Sequence, residues 1–350
     1  MALNMDKFYF GTKDEKKRFC IELLDSLKKR GFAKIRSHGV FKSVLDPQFD
    51  EIRRFFNLPL DVKMKVKHPA QATPNRGYSY VGQENVGNIS GYNKGPGPTN
   101  TRDIKVSLPD LSPGEGNRRL TLCCRLQQES IDFGADIDDL VENIEVPEED
   151  LPNFQVEIDG LFHKLCDTQH HILSALAIAL GIDQSHLLSI HDRVENELRL
   201  LHYPAIPASE LRDGTATRCA EHTDFGTITL IFQDAVSGLQ VEDPAEPGTF
   251  RDVGSSNLTD LILMAGDSLQ RLTNDTVKAG RHRVTYPPGV DRDSDEMIPE
   301  RYSMAFFAKA DRTTSLLPLK QFVTEANPCR YEDVTAWEYN NQRSASLYEG

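Results

Sequence analysis

The sequence predicts a mainly β fold in which a helical N-terminal region packs against a β-rich C-terminal half. Apolar residues of the first half recur three and four positions apart, which is the spacing of helices that bury one face. From about residue 197 the period changes to two, and short β-type runs alternate with Gly- and Pro-containing turns. Closely spaced short strands of this kind indicate a β-sandwich or a β-barrel.

The first helix is predicted to begin near Thr12. Thr12 and Glu15 form a capping-box pattern, in which each side chain satisfies an unpaired amide of the first turn. Gly31 is suited to end this helix because glycine readily adopts the left-handed conformation of a C-cap. A short strand is expected directly afterwards, at residues 32–36.

Two longer helices and a C-terminal helix are also predicted. Asp46 and Pro47 have the residue types of an N-cap and a first helical position, so a second helix is expected to start there. An apolar stripe predicts a third helix from about residue 157 to 180, with Gly181 as its C-cap. The last helix is predicted over residues 334–347.

The segment from residue 69 to 118 is rich in Gly, Pro, Asn and Ser. We expect a long loop over the core, of the kind that often acts as a lid. Tyr78 and Tyr80 in this loop are expected either to contact a substrate or to pack within the loop.

The β-type runs of the C-terminal half are residues 198–203, 227–232, 239–241, 261–264, 282–286 and 302–308.

Composition limits the classes of function. The chain has 350 residues, which suits one large domain or two fused ones, and its formal net charge of −13 disfavours nucleic acid as a partner. The longest apolar run, residues 172–182, is too short to cross a bilayer of about 30 Å. The N-terminus lacks the pattern of a signal peptide. We therefore expect a cytoplasmic monomer that binds a small molecule and no membrane.

Six cysteines are spread thinly along the chain, and no CxxC pair occurs. Adjacent Cys123 and Cys124 are poorly placed to bind one metal ion together. We therefore expect reduced thiols in a reducing compartment.

The sharpest motif is His222-Thr223-Asp224. Residues two apart on a β-strand point to the same face, so the imidazole and the carboxylate would converge. His282 lies 58 residues beyond Asp224, in another β-type run. Two histidines and one carboxylate occupy one face of an octahedral iron(II) and leave three positions for a co-substrate and O₂. The two histidines and the aspartate are therefore predicted to bind the metal and to form the catalytic centre.

A zinc hydrolase would use the same types of ligand, and an isolated HxD motif is weak by itself. A hydrolase would also require a general base beside a metal-bound water. Glu221 is adjacent in sequence, but a residue one position before His222 on a strand faces away. This disfavours the zinc alternative without excluding it.

A second motif, Arg301-Tyr302-Ser303, repeats the two-residue spacing. Arg301 and Ser303 would share a strand face, where a guanidinium fork and a hydroxyl suit the far carboxylate of a dicarboxylic keto acid. Tyr203 could add a third hydrogen bond. Arg301 alone would suit a surface ion pair, but the apolar run at residues 304–308 favours a core strand.

Longer segments around these motifs carry a family resemblance. They are HTDFGTITLIFQD at 222–234, GLQVE at 238–242, GDSLQRLTN at 266–274, HRV at 282–284 and RYSMAF at 301–306, with 31–39, 55–59 and 76–78 in the N-terminal half. They resemble the 2-oxoglutarate- and iron(II)-dependent dioxygenases of the isopenicillin N synthase-like superfamily. The run LRLLHYP at 198–204 is similar to fungal members.

The resemblance implies a double-stranded β-helix, which is a jelly-roll or cupin-like core, behind a helical N-terminal region. It assigns iron(II) to His222, Asp224 and His282. It assigns 2-oxoglutarate to Arg301 and Ser303, with Tyr203 as a helper. O₂ would be the second co-substrate, and ascorbate is a possible further cofactor.

The implied activity is the oxidation of a small organic molecule, with release of succinate and CO₂. Hydroxylation, desaturation and ring modification are all open, and a tailoring step in secondary-metabolite biosynthesis is expected. Two alternatives also stay open: an iron(II) oxidase of the same fold that does not use 2-oxoglutarate, and a relative that binds ligands without catalysis.

The expected layout has four parts. Residues 1–150 form the N-terminal dioxygenase region with helices, first strands and lid loop, and residues 151–195 form a long support helix and linker. Residues 196–312 form the jelly-roll core that binds iron(II) and 2-oxoglutarate. Residues 313–350 form a C-terminal tail and helix.

Three features depart from the family pattern. Many members carry Asn-Tyr-Tyr where this chain has Leu201-His202-Tyr203, so the contact from that Asn is lost or replaced. A polar insertion at residues 290–300 is expected to loop out. Residues 106–135 do not resemble the family; they either reshape the substrate pocket or reflect a mistaken gene model.

Overall fold

The computed structural model describes residues 2–69, 75–84, 125–136, 138–254 and 258–345. The helices of this part of the chain are α1 (Asp6–Tyr9), α2 (Lys13–Arg30), α3 (Lys42–Phe56), α4 (Leu60–Lys63), α5 (Phe154–Leu180), α6 (Gln184–Ser189), α7 (Ala208–Arg212), α8 (Asp267–Leu272) and α9 (Ala336–Ala345). The strands are β1 (Leu3–Asn4), β2 (Phe32–Arg36), β3 (Gly77–Ser79), β4 (Arg125–Leu126), β5 (Glu129–Phe133), β6 (Glu197–Tyr203), β7 (Ile206–Pro207), β8 (Ala216–Thr217), β9 (Cys219–His222), β10 (Ile228–Gln233), β11 (Leu239–Glu242), β12 (Phe250–Asp252), β13 (Leu261–Ala265), β14 (His282–Val284), β15 (Met297–Ile298) and β16 (Arg301–Ala308).

Two β-sheets form the C-terminal core. Within the described residues, the larger sheet has eight strands in the order β1-β2-β13-β10-β16-β6-β5-β3, and all neighbours are antiparallel except β1 and β2. The smaller sheet has the order β12-β11-β14-β9. An apolar cluster joins the two, with Leu201, Ile231 and Ala305 from the larger sheet and Leu239 and Val284 from the smaller one. This two-sheet arrangement confirms the expected jelly-roll core behind N-terminal helices.

The larger sheet is buried on both faces, and β16 shows how its side chains alternate. Met304 and Phe306 belong to the apolar cluster shared with the helices, and Phe306 packs edge-on against Phe162 of α5 with ring centroids 5.5 Å apart. Ala305 points the other way, into the space between the sheets. Arg301 lies on that same inner face, so the alternation places polar groups between the sheets.

The first predicted helix and strand are confirmed. The Thr12 hydroxyl accepts a hydrogen bond from the Glu15 amide, and the Glu15 carboxylate accepts one from the Thr12 amide at 2.8 Å. Gly31 ends α2 in the left-handed conformation, with φ +74°. Gly181 ends α5 in the same way, with φ +65°.

The predicted start of the second helix at Asp46 is wrong. The helix α3 begins at Lys42 and contains Pro47 in its interior. Leu45 is fully buried and extends the apolar face that Phe49 and Ile52 present to the core. Burial of this face stabilises an additional helical turn that begins at Lys42, even though Pro47 provides no amide hydrogen for the helix.

The six β-type runs are confirmed as strands β6, β10, β11, β13, β14 and β16, with ends shifted by at most two residues.

The insertion at 290–300 is not wholly a loop, because its residues Met297–Ile298 form β15 and pair with β7. Part of the segment that does not resemble the family, residues 125–135, contains β4 and β5, and β5 pairs with β6. Residues 106–124 lie outside the described residues.

Much of the expected lid lies outside the described residues, at positions 70–74 and 85–118. Tyr78 is buried on β3, where its hydroxyl donates to Glu129 and its ring packs against Phe55. Tyr78 is therefore a packing residue, whereas Tyr80 is partly exposed. The four-part division of the chain remains a proposal.

Cys20, Cys166, Cys219 and Cys329 are free thiols, and Cys123 and Cys124 lie outside the described residues. Among the helices of the described segments, none combines the length and the hydropathy needed to span a bilayer.

Candidate metal centre and adjoining cavities

Three predicted ligands converge between the sheets. His222 is the last residue of β9, and His282 is the first residue of β14, directly opposite it in the antiparallel register. Their ring centroids are 4.2 Å apart. One ligand atom each from His222, Asp224 and His282 lies within 4.8 Å of the others. We call these three residues the metal triad.

Asp224 does not lie on the strand, as the sequence prediction assumed, but in the loop that joins β9 to β10. The loop is held by backbone hydrogen bonds from the Asp267 amide to the Asp224 carbonyl and from the Ser268 amide to the Gly226 carbonyl. A Cβ on Gly266 would lie 2.2 Å from the Gly226 carbonyl oxygen, so this close approach requires glycine. The start of α8 therefore aims the carboxylate at the two histidines.

The two imidazoles are oriented in the same way. His222 Nδ1 lies 2.8 Å from the Ala220 carbonyl oxygen, and His282 Nδ1 lies 2.8 Å from the Gly280 carbonyl oxygen. A carbonyl can only accept, so each Nδ1 carries the proton and donates. In the neutral ring Nε2 then carries the lone pair, and this is the tautomer that binds a metal through Nε2.

The two oxygens of the Asp224 carboxylate have different neighbours: one accepts a hydrogen bond, and the other faces the two histidines. Thr229 on β10 donates its hydroxyl to Oδ2 at 2.6 Å. Oδ1 lies 3.7 Å from His222 Nε2 and 3.8 Å from His282 Nε2. Burial lowers the pKa of His222 to about 4, and His282 acts in the same direction. Both effects keep the His222 ring neutral at neutral pH.

This donor set fits a single divalent ion of borderline softness. Two imidazole nitrogens and one carboxylate oxygen face one another, and the carboxylate oxygen lies too far from either nitrogen for a hydrogen bond. They approach from one side only, which is the facial arrangement that iron(II) oxygenases use. Glu221, the base that a zinc hydrolase would need, is instead paired with Arg281 and Arg283.

The predicted anchor residues also come together. Arg301 on β16 lies directly opposite Tyr203 on β6, and its guanidinium stacks 4.7 Å from the centre of the tyrosine ring. Its two terminal nitrogens donate to the Ser303 hydroxyl and to the Gln233 side-chain oxygen, each at 2.9 Å. Arg301 is 1% exposed, and among the described residues no carboxylate pairs with it. A buried guanidinium without a counter-charge fits a ligand carboxylate.

His202 lies on the face of the sheet opposite to Tyr203 and Arg301. Its ring stacks on Tyr302 on this face of the sheet, and its Nδ1 is paired with Glu129 at 2.7 Å. The Asn contact that many family members have at Leu201 is replaced by an apolar side chain on the inner face.

The metal triad lies where two cavities meet. One cavity, of about 530 Å³, is lined by all three triad residues and by Tyr203, Arg301 and Ser303. We call it the keto-acid pocket. The other, of about 910 Å³, is lined by His222 and Asp224 together with Phe225, Phe307 and Trp337. We call it the substrate cavity.

Sequence reasoning missed the charged side chains of the substrate cavity. They are Arg76, Glu195, Glu197, Arg199, Lys309 and Arg312, which we call the charged wall. The only sequence signal was the alternation in β6, which places Glu197 and Arg199 on the same face as Tyr203.

Arg218, just before β9, was missed as well. Its side chain is fully buried, and it donates from one terminal nitrogen to the carbonyl oxygens of Pro204 and Pro299. Burial lowers the pKa of Arg218 to about 10, and the positive charge of Arg301 acts in the same direction. It adds positive charge near the keto-acid end of the core.

Comparison with known proteins identifies the family. Residues 195–310 match the model of the 2OG-Fe(II) oxygenase superfamily, and residues 3–108 match that of the N-terminal region of the non-haem dioxygenase in morphine synthesis. The 2-oxoglutarate-Fe(II) type oxidoreductase ppzD of Metarhizium majus is 38% identical over 348 residues, which cover 99% of this chain and 95% of that protein. The chain belongs to the 2OG-Fe(II) oxygenase superfamily.

Other relatives of this oxygenase agree. The proline hydroxylase buaE of Petromyces alliaceus is 37% identical over 332 residues, which cover 94% of this chain and 93% of that protein. The crystal structure of a full-length Neurospora crassa protein in complex with alpha-KG matches with a TM-score of 0.81 and 27% identity, covering 98% of this chain and 95% of that one. This oxygenase is thus an oxidoreductase that uses iron(II), 2-oxoglutarate and O₂.

Proposed function

We propose that the metal triad binds iron(II) and that the keto-acid pocket binds 2-oxoglutarate. Arg301 and Ser303 would hold the far carboxylate of 2-oxoglutarate, with Tyr203 as a helper. The substrate cavity would hold a small polar molecule that is oxidised. One observation supports this most strongly: two of the triad residues, His222 and Asp224, line both cavities, so one metal ion could serve a co-substrate and a substrate at once.

Bound iron(II) supplies the activation of O₂, which couples oxidation of the substrate to conversion of 2-oxoglutarate into succinate and CO₂. The chain itself positions the reactants. Arg301 offers a fixed fork at the far end of the keto-acid pocket, so its carboxylate partner is held in one orientation. The two backbone carbonyls on the Nδ1 atoms and the Thr229 hydroxyl keep the three ligands aimed at one point. The apolar side chains of Leu201, Ile231 and Ala305 reduce access of water.

We also propose the biological setting. The names of similar proteins include a proline hydroxylase, and one structure of the similar Neurospora crassa protein contains thymine. Proline and thymine are both small polar molecules, and this supports a small polar substrate for this chain. We infer a tailoring oxidation in secondary metabolism, in which hydroxylation, desaturation and ring modification remain candidates. Ascorbate is a candidate reductant.

We propose a cytoplasmic monomer that does not bind nucleic acid. The net charge of −13 would repel a phosphate backbone. Free buried thiols at Cys20 and Cys219 are compatible with a reducing compartment.

Replacement of Arg301 by Met tests the keto-acid assignment. We expect the apparent Kd for 2-oxoglutarate to rise by about 10- to 100-fold, because a hydrogen-bonded charge contributes roughly 1.5–3 kcal/mol. Anaerobic titration of the Fe(II)-loaded protein, followed by visible absorption, measures this Kd. Exposed Arg251 provides the matched control, and Arg251→Met should keep the wild-type value. An unchanged Kd in Arg301→Met would remove Arg301 from the keto-acid site.

A further inference from the structure

We propose that the substrate cavity selects a small zwitterion, namely an α-amino acid or a cyclic α-imino acid. Its carboxylate would pair with Arg76 and its ammonium group with Glu197. This inference rests on the proposed function, since it names the class of substrate for the same cavity.

Two charged residues of the wall are buried, and buried charges require partners. Arg76 is 3% exposed and Glu197 is 4% exposed, although both line the cavity beside the metal triad. A buried charge is costly unless it is paired and hydrogen-bonded. Part of this requirement is met by ion pairs within the wall. Ionic groups on a substrate would supply further partners.

Two of the four cations of the wall, Arg199 and Arg312, are held by carboxylates on both sides of their guanidinium groups or on both terminal nitrogens. Arg199 is paired with Asp132 at 2.6 Å and with both oxygens of Glu84 at 2.9 and 3.1 Å. Arg312 is paired with both oxygens of Asp138 at 2.6 and 2.8 Å. These guanidinium groups have little capacity left for a ligand, and they form a rigid frame.

Arg76 differs from them. Its one short hydrogen bond goes to the Asn75 carbonyl oxygen at 2.8 Å, whereas Asp138 and Glu197 lie 3.4 and 3.6 Å away. Its Nε is buried against Gly134, where a ligand could not reach it, and finds no partner among the described residues. The two terminal nitrogens have only these long contacts to carboxylates, so they keep hydrogen-bonding capacity for a further carboxylate.

The position of Arg76 depends on Gly134. A Cβ at Gly134 would lie 1.9 Å from Nη2 of Arg76 and 2.4 Å from Nε. Any side chain at this position would therefore displace the guanidinium from its present place.

Glu197 supplies the opposite charge beside it. One oxygen of Glu197 accepts from Lys309 at 2.8 Å, and the same oxygen lies 3.6 Å from Nη1 of Arg76. Its other oxygen accepts no hydrogen bond from the described residues. A cation and an anion with spare capacity therefore lie side by side. The charges of an α-amino acid are also adjacent, since one carbon joins its ammonium nitrogen to its carboxylate.

The charged wall carries both signs, with the cations Arg76, Arg199, Lys309 and Arg312 and the carboxylates Glu195 and Glu197. A zwitterion can pair with both signs at once, whereas a simple anion or cation can pair with only one. Phe225, Phe307 and Trp337 provide apolar contact for the rest of the molecule.

The wild-type enzyme, loaded with Fe(II) and given 2-oxoglutarate and O₂, provides the first test. The probes are the twenty protein amino acids and L-pipecolate, each also as the methyl ester and the N-acetyl derivative. We expect at least one free acid to stimulate succinate formation, and both of its derivatives to lose at least tenfold in kcat/KM. Stimulation by none of the free acids, or equal rates with the derivatives, would overturn the inference.

Failure of the inference differs from failure of the proposed function. Protein that binds Fe(II) and 2-oxoglutarate anaerobically but responds to no zwitterion contradicts only the substrate class. Protein that binds neither contradicts the proposed function itself.

Variants then test the two residues. Arg76→Met and Glu197→Gln should each raise KM for the stimulating acid at least tenfold, and Arg76→Lys should lie between Arg76→Met and the wild type. Gly134→Ala should act in the same direction because it displaces Arg76. Arg251→Met is the control and should keep the wild-type KM. If Arg76→Lys and Glu197→Gln both keep the wild-type KM, the assignment of these two residues is wrong.

Discussion

At the scale of single residues, neighbouring groups orient the three side chains of the metal triad. The Ala220 and Gly280 carbonyls fix which nitrogen of each imidazole is protonated. Thr229 occupies one oxygen of Asp224 and leaves the other for the site. Such contacts would orient the proposed ligands before an ion binds, so the free energy of binding would not be spent on ordering them.

The Thr229 hydroxyl provides a sharp test of this arrangement. Thr229→Val removes the donor to Asp224 with little change in volume, and the carboxylate loses its fixed orientation. We expect the dissociation constant for Fe(II) to rise by about 10- to 100-fold, which is the usual effect of losing such a partner. Anaerobic Fe(II) titration measures it. Thr229→Ser keeps the hydroxyl and should retain most of the affinity; equal affinities of the Val and Ser variants would argue against the role of this bond.

The sequence predicted the residues with strong local patterns. Arg301 and Ser303 lie in a motif whose two-residue spacing has a direct physical meaning on a strand. The HxD motif pointed to His222 and Asp224 as well, although Asp224 lies in the loop after β9 and not on the strand. The charged wall has no such pattern, because Arg76, Glu197 and Arg312 come from separate segments that only the fold brings together. Pairing of this kind depends on three-dimensional packing and has no fixed spacing along the chain.

At the scale of secondary-structure elements, successive side chains of a strand point to opposite faces of the sheet. One face packs against the helices, and the other lines the cavities. On β16, the side chains of Met304 and Phe306 pack against the helices, while those of Arg301 and Ser303 face the keto-acid pocket. The sequence predicted these strands well because their apolar pattern is strong. It misplaced the start of α3, because burial of Leu45 outweighs the local signal of Asp46 and Pro47.

The turn after α6 supports the loop that carries Asp224. His191 lies in this turn, 8% exposed, with Nδ1 2.9 Å from the Leu187 carbonyl oxygen and Nε2 2.9 Å from the Thr227 hydroxyl. Burial lowers the pKa of His191 to about 4. The neutral ring thus joins the turn to the start of β10.

This buried histidine predicts a pH dependence of stability. The unfolded chain takes up the His191 proton near pH 6.5, whereas the folded chain takes it up only near pH 4, so stability declines as the pH falls through this window. Between pH 6.5 and 5 the contribution amounts to roughly 1.6 kcal/mol. Urea unfolding should show that His191→Asn and His191→Gln lose less stability over this interval than the wild type. An identical loss in all three proteins would contradict this prediction.

At the scale of the whole molecule, the helices and the two sheets enclose the metal triad and the two cavities that adjoin it. The N-terminal region supplies β2 and the strand pair β3–β5 to the larger sheet, and it supplies Arg76 to the substrate cavity. The C-terminal helix α9 supplies Trp337 to the same cavity. Residues from both ends of the chain therefore surround the cavity next to the metal triad, and the keto-acid pocket lies on the other side.

Anaerobic Fe(II) titration of the purified protein tests the central claim most directly. We expect the wild type to bind one Fe(II) per chain, and His222→Ala and Asp224→Ala to lose this binding. His163→Ala is the control, since this exposed histidine of α5 lies outside the metal triad. One Fe(II) bound with wild-type affinity in both His222→Ala and Asp224→Ala would contradict the account.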